Sequence, residues 1–176
     1  LDEATEDVQR LGGIEPLEES YLRTPFLTLV GKRGMWLAIL FVGGFLTTEA
    51  MEYFQTEMQA LPVLMFFVPL IISAGGNCGS QSATLITRSL ALGELNPGEW
   101  FRVFLHEVGM GVALGLALGL LGVVRAWLIP SSKMGDANSL ALMLAVGSAV
   151  SAIVLWGNMV GALLPLALKK LGFDPA

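Results

Sequence analysis

One cysteine and one histidine in 176 residues close off several chemistries at once. Cys78 has no intrachain partner, so no disulfide supports the fold, and a lone thiol says nothing about redox compartment. His106 is followed by Glu107, but neither HExxH nor a second histidine exists to complete a zinc or protease site. With no nucleophile–base pair or metal-ligand set either, an enzyme is not expected. No basic stripe is present to neutralise phosphates, which argues against nucleic acid as a partner. The first 30 residues lack the basic segment and apolar run of a secretory signal peptide. Charge is scarce throughout, at 14% of residues, where soluble domains carry about 25%.

What the chain does have is apolar sequence. Hydrophobic residues make up 54% and the mean hydropathy is +0.68, the composition of a membrane protein. The net charge of −5 is concentrated at one end. Residues 1–19 hold seven acids against Arg10 alone, while the rest carries eight acids and nine bases. A helix needs about 20 apolar residues to cross the hydrocarbon core. Four stretches qualify, at about 35–54, 61–92, 97–129 and 140–171. Runs such as VALGLALGLLGVV do not alternate with period two, so these are helices and not strands of a barrel. The expected fold is therefore an all-α, polytopic transmembrane bundle. Residues 1–33 read as an acidic connecting helix and linker, and 34–176 as the transmembrane domain.

Basic residues set the orientation. With the N-terminus in the cytoplasm, the inner side collects Arg10, Arg23, Lys32, Arg33, Arg88, Arg102, Lys169 and Lys170. The outer side then holds only Arg125 and Lys133.

The second span carries the least expected residues. PLIISAGGNCGSQSATL (69–85) begins as a buried apolar segment should, then places Gly75, Gly76, Asn77, Gly79, Gln81, Ser82 and Thr84 within ten positions. Glycine there provides either close backbone approach or an unwound turn. Small and hydroxyl residues also serve plain helix packing. The other reading is a wet pathway lined by carbonyls and neutral oxygens, which suits a hydrated hard cation such as magnesium. Gly111, Gly115 and Gly119 in the third span, and Gly157 and Gly161 in the fourth, read as packing faces; Asn158 adds a polar group that could face a pore. His106 and Glu107 read as structural or interfacial.

Two acidic groups remain. Glu15, Glu18 and Glu19 fall at helical spacing on one face, either a solvated surface or a cluster whose repulsion a divalent cation relieves. Glu49, Glu52 and Glu57 lie at the outer end of the first span with no base nearby, and either aid interfacial solubility or concentrate cations.

PLIISAGGNCGSQSATLITRSLALGEL (69–95), EATEDVQRLGGIE (3–15) and GALLPLALKKLGFDPA (161–176) together resemble the MgtE family of magnesium channels and transporters, related to the eukaryotic solute-carrier magnesium transporters. The resemblance implies a bacterial cytoplasmic-membrane homodimer with five transmembrane helices per subunit. Its pore would follow the dimer axis, lined by the second and fifth helices. It implies Mg2+ both as the transported ion and as a regulator. Bound among acids of cytosolic N and CBS domains and the connecting helix, Mg2+ would hold the closed state. By motif position those acids are Asp7, Glu15, Glu18 and Glu19. The N and CBS domains do not occur in these residues. The family's selectivity aspartate belongs to a fifth helix, of which Asp174 and Pro175 look like the N-cap and first residue. A chain that begins without Met is read as part of a longer protein. The expected function is Mg2+ uptake down the electrochemical gradient. The rivals are a gradient-coupled exchanger or exporter of divalent metals, and a non-transporting membrane anchor for a regulatory domain.

Overall fold

The computed structural model describes residues 22–130 and 138–172. Every regular element among them is helical. The chain divides into two units at Thr56/Glu57, each considered by itself.

The first unit contributes α1, Phe26–Tyr53. It starts at Pro25, whose carbonyl accepts from Leu29 N at 3.1 Å. At 28 residues it is about 42 Å long, more than the hydrocarbon core requires. The helix thus takes in Lys32 and Arg33, which the sequence places before the span. Long basic side chains extend along a helix to reach polar surroundings, so they need not end it. Phe41 and Phe45 meet edge to face one turn apart, with centroids 5.2 Å from each other. A six-residue helix, α2 (Gln55–Ala60), and a 3-10 turn, Pro62–Phe66, follow.

The second unit is built on three long helices: α3 (Val68–Ala91), α4 (Trp100–Trp127) and α5 (Ser139–Lys170). With α1, they make four helices long and apolar enough to cross a membrane among the described residues. Pro69 lies in the first turn of α3, where its missing N–H has no partner to lose. Gly93, at φ 68°, closes α3 in the left-handed conformation open to glycine. Its N–H reaches Leu90 O at 3.2 Å, and Glu94 N reaches Ser89 O at 3.0 Å. The short connection to α4 is tightened where Asn96 N donates to Glu99 Oε2 at 3.2 Å. Asn138 caps α5, its Oδ1 accepting from Leu140 N at 2.9 Å and Ala141 N at 3.3 Å.

Helix α5 is the centre. Leu142, Val146, Val150, Val154, Asn158, Ala162 and Leu166 recur every four residues and are all buried. Helices α3 and α4 pack on either side of this spine and meet each other little. Glycine allows both approaches. A Cβ at Gly157 would come 2.5 Å from Gly75 O, and one at Gly161 would overlap Gly79 O. Those pairs run in the same direction along both helices, so α3 and α5 are parallel. On the other side, a Cβ at Gly115 would stand 2.8 Å from Ser151 O and one at Gly119 2.8 Å from Gly147 O, an antiparallel seam. Ser151 Oγ lies 2.8 Å from Gly115 O and 2.9 Å from Gly147 O, so one hydroxyl serves two helices. Two apolar clusters fill the ends. One joins Val63 and Phe67 to Ile129 and Leu142; the other joins Ile86 and Leu90 to Val103 and Leu166.

Candidate functional site

The residues of 69–85 stay helical throughout, so Gly75 and Gly79 serve close approach and not an unwound turn. Helical phase then divides them into two sets. Gly75, Cys78 and Ser82 are buried, and Gly79 is half-buried against the Gly157 carbonyl, 3.1 Å from a Cβ built on it. Gly76, Asn77, Gln81 and Thr84 are exposed, together with Ser73 and Ser80. The exposed set falls at i, i+3, i+4, i+7, i+8 and i+11, one continuous stripe about three turns long. Within it Asn77 Nδ2 donates to Ser73 Oγ at 3.4 Å, and Thr84 Oγ1 donates back to Ser80 O at 2.9 Å. Apolar Ile72 and Leu85 flank the stripe and are also exposed.

Behind the stripe lies a buried polar layer with one side chain from each helix. Ser82 Oγ donates to Glu107 Oε2 at 3.0 Å. Glu107 is 9% exposed, two turns into α4. Asn158, 2% exposed, sits on the turn of α5 that faces Gly111, one turn beyond Glu107; a Cβ on Gly111 would lie 3.6 Å from Asn158 Cβ. Asn158 therefore faces the bundle interior and not a pore. The other carboxylate oxygen, Glu107 Oε1, is 3.8 Å from His106 Nδ1, near enough to pair when the imidazole is protonated. It also borders a cleft of about 430 Å³ lined by Ser89, Glu94, Glu99, Arg102 and His106.

Glu49, Glu52 and Glu57 are exposed. Asp7, Glu15, Glu18 and Glu19 lie outside the described residues, as do Asp174 and Pro175. Among the described residues, no group of three or more His, Cys, Asp or Glu is placed to hold a metal ion. The sequence reading missed Ser73 as a member of the stripe and Glu107 as a partner of Ser82. A helical wheel from Asn77 would have found the first. For the second the only signal was an acid two turns inside an apolar span, with glycine four residues on.

Among the described residues, four long apolar helices, with a polar stripe along one face of α3 and a buried polar layer behind it, define a multi-pass helical membrane protein. The chain belongs to the MgtE family: residues 68–176 match the family model, described as a divalent cation transporter. It is 40% identical over 174 residues to the magnesium transporter MgtE of Thermus thermophilus, covering 99% of this chain and 37% of that protein. The magnesium transporter MgtE of Enterococcus faecalis is 31% identical, over 99% of this chain and 36% of its own length. That of Bacillus subtilis is 28% identical over 82% of this chain and 31% of its own length. The chain thus spans little more than a third of the curated relatives it matches, all of which are named as transporters.

Proposed function

We propose that this chain is part of a Mg2+ uptake pathway in which the stripe on α3 forms one wall. The observation that carries this is the exposure of Ser73, Gly76, Asn77, Ser80, Gln81 and Thr84 along the outside of the three-helix unit. In lipid, an amide or hydroxyl without a partner costs roughly 1–3 kcal/mol by mutational measures and more against hydrocarbon. A stripe that long calls for water or a polar partner. Neutral oxygens and bare glycine backbone suit an ion that keeps most of its water shell, as Mg2+ does. The naming of three relatives as magnesium transporters supports the choice of ion.

Gly76, Asn77, Gln81 and Thr84 meet the pathway directly, while Gly75, Gly79 and Ser82 hold the wall from behind. A homodimer in a bacterial cytoplasmic membrane places two stripes on a shared axis. The N-terminus lies in the cytoplasm, a direction supported by the gathering of Arg88, Arg102, Lys169 and Lys170 at one end of the three-helix unit and Arg125 at the other. The inward-negative potential supplies about 2.3 kcal/mol per elementary charge per 100 mV, enough to draw in a divalent ion without further coupling. Glu49, Glu52 and Glu57 concentrate cations outside. Asp7, Glu15, Glu18 and Glu19 sense cytosolic Mg2+, together with the N and CBS domains expected in the full protein.

The test is Mg2+ entry into liposomes holding the full-length protein, against protein-free vesicles. Flux that follows the membrane potential alone is expected. Flux that requires a sodium or proton gradient would turn the reading to an exchanger, and absence of flux to an anchor.

A further inference from the structure

We infer that Glu107 is a positioning residue for the conduction path, acting through Ser82 to fix the rotational setting of α3. The inference rests on the reading of the α3 stripe as the wall of that path. Three observations lead to it. Helices α3 and α4 each pack on α5 through a glycine seam and meet each other little. The Ser82–Glu107 bond, 3.0 Å long and buried, ties them directly. And Ser82 lies on the reverse of the stripe, roughly 100° round the helix from Gln81 and 200° from Thr84.

The glycine seam sets how closely α3 approaches α5, with Ile153 packed over Gly75. The Ser82–Glu107 bond adds a directional tie to α4 that a seam of backbone contacts does not supply. An ionisable side chain inside a membrane span is costly and calls for a named partner. Ser82 is that partner on α3, and Asn158 places a third polar group in the same layer. A carboxylate accepts more strongly than a neutral oxygen, so a serine hydroxyl aimed at Glu107 has one preferred direction. Turning α3 by a single residue, 100°, would break that bond and carry Gln81 and Thr84 off the path together. The carboxylate thus sets the stripe without touching the ion.

The experiment uses the full-length protein in liposomes, with Cys78→Ala and a single Gln81→Cys or Thr84→Cys as reporter. Each reporter is combined with Ser82→Ala, Glu107→Ala or Glu107→Gln. A charged thiol reagent is applied, and labelling is expressed per folded protein. With Ser82 and Glu107 intact, both reporters should label. Ser82→Ala and Glu107→Ala should each slow labelling on the order of tenfold, the scale of one hydrogen bond to a charged group. The double variant should be no slower than the worse single. Glu107→Gln keeps a weaker, neutral carbonyl acceptor and should restore labelling in part, to between the intact protein and Glu107→Ala.

Unchanged labelling in Ser82→Ala, with only a lower yield of folded protein, would overturn the inference and leave a merely structural bond. So would Glu107→Gln behaving like Glu107→Ala, because charge and not the bond would then matter. Ser82→Ala is the milder change and keeps the test open if Glu107→Ala does not fold. Should the reporters fail to label even with Ser82 and Glu107 intact, the wet-path reading itself falls, and the inference with it.

Discussion

Glycines on the two facing helices α3 and α5 differ in what a side chain would meet, and only the fold separates them. Gly161 sits so close to Gly79 O that a Cβ would overlap a backbone carbonyl, which cannot swing away as a side chain can. Gly157 faces Gly75 O in the same manner, at 2.5 Å from a built Cβ. On α3, Gly76 has nothing within 4 Å of its Cβ position. Gly157→Ala and Gly161→Ala should therefore lower stability by about 1–3 kcal/mol, the usual cost of overpacking. Gly76→Ala should be neutral or stabilise by up to about 1 kcal/mol, because it restores helix propensity at no steric cost. Thermal unfolding of the detergent-solubilised protein distinguishes them: the first two midpoints fall, the third does not.

At the scale of the element, local chemistry sets where helices start and stop. Asn138 satisfies two of the free N–H groups that open α5, at the end where Val146 and Val150 carry the core. Asn138→Ala should cost about 1 kcal/mol and Asn138→Asp almost nothing, read from the same unfolding midpoint. Gly93→Ala should cost about 1–2 kcal/mol, because a Cβ is strained at φ 68°. Such features were partly legible in the sequence. The four apolar stretches, the packing roles of Gly111, Gly115 and Gly119, and the polar character of 69–85 are written in composition and spacing. Less legible was the helical phase of that segment. Gly75, Asn77 and Ser82 look alike as a list of small polar residues, and the direction each faces is decided by docking on α5. Asn158 shows the same limit: a lone polar residue among small ones can face a pore or a core, and here the core holds it at 2% exposure. The Ser82–Glu107 pair was hidden because its members are 25 residues apart and carry no shared motif.

For the molecule as a whole, the question is what the stripe on the outside of the three-helix unit is for. The core of the three-helix unit runs through Val146, Val150 and Val154, and none of the stripe residues takes part in it. Folding of this unit therefore does not need Asn77 or Gln81 to be polar, and in lipid it would be helped if they were not. Sequence that opposes local stability yet holds its place on one face is the mark of a functional surface. Asn77→Leu and Gln81→Leu should then separate stability from transport. The unfolding midpoint should stay within the range of an exposed substitution, about ±0.5 kcal/mol. Mg2+ entry should slow about tenfold for each, since losing one hydrogen bond to the water shell of the ion raises the barrier by roughly 1–1.5 kcal/mol. The measurement is flux per folded protein in liposomes beside the unfolding midpoint of the same sample. Loss of both together would place the stripe in a structural interface between helices; loss of flux alone places it on the path of the ion.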